Sequence, residues 1–226
     1  MKTLTKVIGI ISYLPNNPQE RKIREKRLDA LLLQLDELWP SVPILIIAQN
    51  WGSYSAPIIA NQIIMDRHEN GLGILGARNR LREKFLELGY EYLIMLDDDI
   101  SIKLLSPYAA QEYMFAIDSH PDGFMFMRND MAQLSLCAIS RFIYEMEPMT
   151  QVNPSKGEGH EDDIWCYTLR VKYPQFRYRF EGIKCEYAGS PSTWWQLNLT
   201  DPNQKKTVAA KKALQQKYGG PIEWKQ

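Results

Sequence analysis

Short apolar runs alternate with amphipathic helical patterns through the first hundred residues, and this alternation restricts the fold more than any other feature. Apolar residues at helical spacing occupy 20–38 and 77–88, the second after a glycine-rich turn, and the apolar runs are 7–12, 42–50, 58–65 and 90–100. Strands that alternate with helices are typical of βαβ units, which build a mostly parallel sheet. The sequence therefore predicts an α/β fold.

The second half of the chain has a more mixed pattern. We predict strands at 122–127 and 134–139, a short helix at 139–147, a loop at 151–160, a helix at 161–174 with acids in its first turn, and a bent strand at 176–189. Acidic residues at the start of a helix are favoured by the helix dipole.

The length suits one large domain, 1–226, or two small ones, and the composition is that of a soluble globular protein. The chain is 45% hydrophobic, and its 27 basic and 27 acidic residues give a formal net charge of zero, which argues against a nucleic-acid partner. Cys137, Cys166 and Cys185 are widely spaced and form no Cys-x-x-Cys pair. Reduced thiols in a cytoplasmic protein are the plain interpretation.

Three adjacent aspartates, Asp97 to Asp99, lie near the end of the apolar run at 90–100. Ligands of open parallel sheets bind outside the carboxyl ends of strands, and Ser12 and Gln49 fall at two other such ends. In extended geometry Asp97 and Asp99 share one side and Asp98 points to the other. Two carboxylates on one side can hold Mn²⁺ or Mg²⁺, which prefer oxygen ligands; a solvated acidic turn is the alternative.

Two acidic segments in this order, "YLIMLDDDI" and later "GEGHEDDIW", resemble those of the inverting GT-A glycosyltransferases, especially family 2 and the β-1,4-galactosyltransferase type. The segments "VIGIISYLPN", "NGLGILGARNRL" and "QKYGGPIEW" are similar to further parts of those enzymes. The resemblance implies a GT-A (Rossmann-like) fold, with a mostly parallel central sheet flanked by helices. It also implies a nucleotide-sugar-binding half at 1–100 and a mixed acceptor-binding half at 101–226.

The same resemblance implies roles for both acidic segments. Asp97 and Asp99 would hold Mn²⁺ or Mg²⁺ together with the diphosphate of a UDP- or GDP-linked sugar. Asp162 would be the base that deprotonates the acceptor hydroxyl, Glu161 would bind the acceptor, and Asp163 would cap the helix. The positions matched to donor binding are Ser12, Tyr13, Asn50, Arg78, Asn79, Asp97 and Asp98.

Some of these positions need qualification from their chemistry. A guanidinium matches phosphate oxygens, so Arg78 is placed near the diphosphate, with a surface helix arginine as the alternative. The second strand ends in Gln49 and Asn50, where the family usually has an aspartate. A histidine that often completes the metal site is missing from 184–195, and Glu186 is a candidate substitute.

Acceptor and membrane contacts are suggested by residues nearer the carboxyl terminus. Trp194 and Trp195 offer aromatic faces for stacking on a sugar, whereas Trp165 fits a core position slightly better. The acceptor is a saccharide or another hydroxyl compound, with a lipid-linked one included. The lysines of the tail suit a solvated helix face, or a weak contact with the inner face of a membrane; they are Lys205, Lys206, Lys211, Lys212 and Lys217.

Two other functions remain open at this point. "DDDIS" satisfies the D-x-D-x-[TSV] motif of haloacid-dehalogenase-type phosphatases, although that motif normally ends the first strand of the domain. A non-catalytic nucleotide- or carbohydrate-binding protein would keep the aspartates without needing Asp162. Nucleotidyltransferases require a glycine-rich "GGxGTRxxP" loop after the first strand, and "SYLPNNP" does not resemble it.

Overall fold

The computed structural model describes residues 5–127, 136–148, 161–187 and 216. The strands in these parts are β1 (Lys6–Tyr13), β2 (Ile44–Gln49), β3 (Ile63–His68), β4 (Tyr92–Asp97), β5 (Ile100–Leu104), β6 (Phe124–Met127), β7 (Leu136–Ser140), β8 (Arg177–Phe180) and β9 (Ile183–Tyr187). The helices are α1 (Pro18–Leu38), α2 (Gly73–Leu88), α3 (Ala109–Asp118), α4 (Arg141–Met146) and α5 (Glu161–Lys172), with a 3-10 turn at Pro174–Phe176.

A seven-stranded sheet in the order β3-β2-β1-β4-β7-β6-β8 forms the centre of the described structure. Neighbouring strands from β3 to β4 are parallel, β7 runs antiparallel to both β4 and β6, and β8 is parallel to β6. Strands β5 and β9 form a separate antiparallel pair. The predicted α/β fold with a mostly parallel central sheet is confirmed.

Both faces of this sheet are covered, which explains why its central strands, such as β2 and β4, read as nearly unbroken apolar runs. One face packs mainly against α1 and α3, and the other packs against α2, α4 and α5. Alternate residues of a strand therefore enter different clusters: Ile94 lies with α1, whereas Leu93 and Met95 lie with α2. Trp165 is 3% exposed in the second cluster, so the core interpretation of this residue is correct.

Three local predictions need correction. The segment 176–189 is not one bent strand, because β8 joins the large sheet and β9 joins the small one. The apolar run at 58–65 becomes strand only from Ile63. Helix α3 and strand β5 were not predicted, although Ala109, Tyr113 and Ile117 recur at helical spacing and are all buried.

Several predicted features fall outside the described residues. These are the loop 151–160, the stacking pair Trp194 and Trp195, and the lysines of the tail. Within the described residues, no helix is long and apolar enough to cross a membrane.

Candidate functional site

The carboxyl ends of β1, β2 and β4 meet at one edge of the sheet, where the sequence predicts a ligand site. Parallel pairing places Ile11 opposite Asp97 and Tyr13 opposite Gln49. The polar residues that end these strands are therefore neighbours, although they come from three distant segments of the chain.

The aspartate triplet forms the turn between β4 and β5. Strand β4 ends at Asp97, a turn occupies positions 98 and 99, and β5 begins at Ile100. Asp98 is 7% exposed, whereas Asp97 and Asp99 are both partly exposed. The first and third aspartates are thus more accessible than the middle one, although the strand geometry assumed for all three ends at Asp97.

Asp98 is a buried carboxylate held by two side chains from other elements. The hydroxyl of Ser12 on β1 donates to its Oδ2, and Nη1 of Arg24 on α1 lies 2.8 Å from its Oδ1. Burial raises the pKa of Asp98 above its ordinary value, although the Arg24 charge and the Ser12 hydrogen bond oppose that rise. This carboxylate is therefore engaged inside the protein.

Asp97 lies beside the buried guanidinium of Arg78. Nη2 of Arg78 is 3.5 Å from Oδ1 of Asp97, and Arg78 is 7% exposed on α2. The alternative of a surface helix arginine is wrong. A positive charge fixed at the end of the central strand suits an anionic ligand there. Asn79, the next residue of α2, is partly exposed.

The amides that end β2 brace the surrounding loops. Oε1 of Gln49 accepts a hydrogen bond of 2.6 Å from the backbone N–H of Leu72, in the segment leading to α2. Asn50 has a positive φ of 59° and donates through Nδ2 to the carbonyl of Leu14 at 2.8 Å. Tyr13 is 46% exposed beside this loop. Gln49 and Asn50 thus fix the segments that precede α2 and follow β1, on either side of the sheet edge.

Helix α5 begins at Glu161, so the predicted acidic pair of Glu161 and Asp162 lies in its first turn. The helix is anchored further along by Trp165, whose Nε1 donates to the carbonyl of Glu147 at 2.7 Å. The Glu147 carboxylate in turn accepts from Lys172 at 2.8 Å. The side chains of the acidic pair lie outside the described residues.

The aspartate triplet offers oxygen donors of the kind that a hard divalent cation prefers. In the described part of the chain, no group of three or more His, Cys, Asp or Glu residues is arranged to hold a metal ion. Asp97 and Asp99 supply carboxylate oxygens, and Mg²⁺ typically completes such a shell with water and substrate phosphates. Glu186 is exposed, and its pKa is lowered chiefly by a hydrogen bond from Lys184, 3.0 Å away.

Sequence reasoning missed Arg24 in this site. Its contact with Asp98 spans 74 residues. Helical periodicity puts Arg24 on a polar face of α1 but does not indicate which partner it meets. Because α1 follows β1, and β1 pairs with β4, the start of α1 could be placed near the triplet, but this does not select Arg24 among its polar residues.

The sheet order, the reversed strand β7 and the separate β5–β9 pair define a GT-A-like fold. No family model matches the sequence, and no curated protein matches it in sequence. TarS from S. aureus shares the fold with a TM-score of 0.58 and 10% identity over 94% of this chain. The chain covers 43% of TarS, which is less than half of its length.

Two smaller proteins align over most of their own length. One is a Bacillus anthracis protein described as a glucose-1-phosphate thymidylyltransferase, with a TM-score of 0.51 and 10% identity; the alignment covers 91% of this chain and 95% of that one. The other is HddC from Yersinia pseudotuberculosis in complex with GMP-PN, with a TM-score of 0.50 and 13% identity. The alignment covers 85% of this chain and 97% of HddC. At such identity these likenesses establish the fold.

Proposed function

We propose that this chain is a metal-dependent glycosyltransferase that moves a sugar from a UDP- or GDP-linked donor to an acceptor hydroxyl with inversion. It would be of the family 2 or β-1,4-galactosyltransferase type. The observation that carries the proposal is the aspartate triplet at the end of β4 in a GT-A-like sheet, where Asp97 and Asp99 are partly exposed and Asp97 lies beside Arg78. The HddC complex supports nucleotide binding by a protein of this fold.

The donor would bind along the edge formed by β1, β2 and β4. Arg78 would bind the diphosphate, because a guanidinium donates to phosphate oxygens in a fixed geometry. Tyr13, Asn50 and Asn79 would line the nucleoside and sugar. Ser12 and Asp98 are hydrogen-bonded to each other, so they would contact the donor while keeping this hydrogen bond.

Asp97 and Asp99 would hold Mn²⁺ or Mg²⁺. When bound, the ion would neutralise the charge that develops on the departing nucleoside diphosphate. The cost of placing three carboxylates together is lowered by Arg24, which pairs with Asp98, and by Arg78, which lies beside Asp97.

Acceptor chemistry would belong to the second half of the chain, residues 101–226, as the donor belongs to 1–100. An alcohol is a poor nucleophile near pH 7, so a positioned base must take its proton in the transition state. Asp162 would be that base, Glu161 would orient the acceptor, and Trp194 and Trp195 would stack on a sugar ring. Anchoring of α5 through Glu147 supports a fixed position for its first turn.

Other functions are less well supported. A haloacid-dehalogenase-type phosphatase would carry Asp97 on its first strand, whereas here that residue ends β4. Nucleotidyl transfer would need the glycine-rich loop after β1; here Asn50 binds the segment that follows β1, which has the sequence "LPNN".

The test is a panel of UDP- and GDP-linked sugars, each with Mn²⁺ and with EDTA. We expect metal-dependent binding of at least one donor by calorimetry, and release of nucleoside diphosphate when saccharide acceptors are added. Parallel assays should follow pyrophosphate from nucleoside triphosphates with sugar phosphates, and phosphate from phosphate esters. Absence of any nucleotide-sugar binding, or turnover only in the parallel assays, overturns the proposal.

A further inference from the structure

The turn that carries the aspartates and the strand that follows it, β5, are both bound to helix α1. Before β5, Nη1 of Arg24 binds Asp98 at 2.8 Å. Within β5, Nε2 of Gln34 donates to the carbonyl of Ile102 at 2.7 Å, and Oε1 of Gln34 accepts from the Ile102 N–H at 2.9 Å. One helix therefore holds the turn and the strand that leaves it.

Helix α1 is a rigid support for these contacts. Asn17 caps it by accepting from the N–H groups of Gln19 and Glu20, and one face is fully packed under the sheet through Leu28, Leu31, Leu32 and Leu35. Arg24 lies one turn before this buried stretch and is 35% exposed in its side chain, whereas its partner carboxylate is 9% exposed. The helix can therefore present a guanidinium at a fixed place beneath the turn.

We propose that Arg24 is a positioning residue, which draws the Asp98 carboxylate inward and thereby turns Asp97 and Asp99 toward the ligand. Asp98 is buried in the turn, whereas Asp97 and Asp99 on either side of it are partly exposed, so fixing the middle carboxylate inward restricts the directions of both neighbours. The inference rests on the proposed function, because Asp97 and Asp99 are the residues proposed to hold the metal. Groups that orient metal ligands from behind typically contribute roughly 10- to 100-fold to metal affinity.

The test compares Arg24→Met with the parent and with Arg27→Met, a matched change one turn along α1 at a residue outside the proposed site. Mn²⁺ affinity is measured by electron paramagnetic resonance in the presence of UDP or GDP, whichever the parent binds. We expect Arg24→Met to weaken Mn²⁺ binding roughly 10-fold or more, Arg27→Met to match the parent, and Arg24→Lys to recover part of the loss. Unfolding midpoints of all variants identify any loss due to a smaller folded fraction.

A double-mutant cycle separates action through Asp98 from a direct effect of the Arg24 charge. Residues that act as one unit give non-additive effects. In the Asp98→Asn background, Arg24→Met should change Mn²⁺ affinity less than 3-fold, on the order of experimental additivity error.

The possible outcomes distinguish this inference from the proposed function. If the parent binds no Mn²⁺ with either nucleotide, both are overturned. If the parent binds and Arg24→Met binds equally well, or the two substitutions are additive, only the positioning role of Arg24 is overturned. Loss in Arg24→Met that matches its loss of folded protein also overturns it.

Discussion

At the residue scale, three adjacent carboxylates can coexist because each meets a different environment. Asp98 is buried against Arg24 and Ser12, Asp97 lies beside Arg78, and Asp99 is partly exposed at the turn. Burying a charge is costly unless it is paired and hydrogen-bonded, and both conditions are met for Asp98. The turn thus keeps its two outer carboxylates partly exposed without an uncompensated charge in the core.

Removing the Asp99 carboxylate should impair metal binding without impairing folding. We expect Asp99→Asn to abolish Mn²⁺-dependent binding of UDP or GDP, because an amide is a weak ligand for a hard cation. The free energy of unfolding should change by about 0.5 kcal/mol or less, as at other partly exposed positions. Calorimetry with and without Mn²⁺ measures the first effect and urea unfolding the second. Asp98→Asn should be milder for binding; unchanged affinity in Asp99→Asn would contradict the metal assignment.

Another carboxylate, that of Asp66 in β3, should make stability depend on pH. Burial raises the pKa of Asp66, but Arg80 at 2.6 Å and His68 at 3.2 Å outweigh this, and the net pKa is lowered. A carboxyl with a lowered folded pKa stabilises the fold above its unfolded pKa and loses that contribution as the pH falls through its folded pKa.

The check is urea unfolding of Asp66→Asn and the parent between pH 7 and strongly acidic solution. We expect Asp66→Asn to be less stable at pH 7, with a difference that shrinks as the pH falls through the Asp66 pKa. Glu83→Gln is the control, since Glu83 also pairs with Arg80 but is 60% exposed. A difference that is constant over the whole range would rule out the ionised form of Asp66 as its cause.

At the element scale, the sequence predicts well those segments whose apolar pattern is continuous. Strands β1, β2 and β4 are apolar through their length because both sheet faces are covered. Strand β5 could not be distinguished from β4 in the sequence, because the turn between them consists of aspartates, which are equally compatible with the end of a strand. The bend at 181–182 hides a change of sheet, which depends on pairing with β5 and not on local pattern.

The contact between β1 and α2 gives a prediction about packing. A Cβ added at Gly9 would lie 2.7 Å from Cδ1 of Leu93 and 2.8 Å from Cδ1 of Leu81, and both leucines are buried. Gly9→Ala should therefore destabilise the fold by roughly 1–2 kcal/mol, since overpacking exceeds the gain from a less flexible unfolded chain. Gly71→Ala is the control, because its nearest atoms would be 3.7 and 3.8 Å away. Urea unfolding that finds Gly9→Ala as stable as the parent would contradict this packing.

Helix α5 gives the prediction that bears most directly on mechanism. If Asp162 is the base, Asp162→Asn keeps the shape of the side chain and removes its basic oxygen. Transfer should fall by roughly 100- to 10,000-fold, while donor affinity stays nearly unchanged. Glu161→Gln should instead raise the KM for the acceptor. Release of nucleoside diphosphate with acceptor measures transfer; a near-parental rate in Asp162→Asn would remove the base from the mechanism.

At the scale of the whole molecule, topology brings together residues that no local pattern could pair. The edge that holds Ser12, Gln49 and Asp97 could be predicted, because parallel strands present their carboxyl ends on one side. Arg24 could not be predicted, because helical periodicity defines a polar face without naming its partner. The strand-end residues of the candidate site could therefore be placed from the sequence, and Arg78 from the resemblance of its segment, whereas Arg24 could not.

The residues of the candidate site come from distant parts of the chain, so a ligand bound there should stabilise the whole fold against unfolding. The proposed donor contacts come from β1, β2, β4 and α2, whose separation would destroy the site. A ligand at 100 times its Kd stabilises the folded state by about 2.7 kcal/mol, which corresponds to a rise in Tm of roughly 5–10 °C for a chain of this size. We expect this rise for the parent with Mn²⁺ and UDP or GDP together, a much smaller one with Mn²⁺ alone, and none for Asp99→Asn. Thermal unfolding followed by circular dichroism measures it, with Arg27→Met as a variant that should behave like the parent. An equal rise in Asp99→Asn would mean that the nucleotide binds elsewhere on the fold.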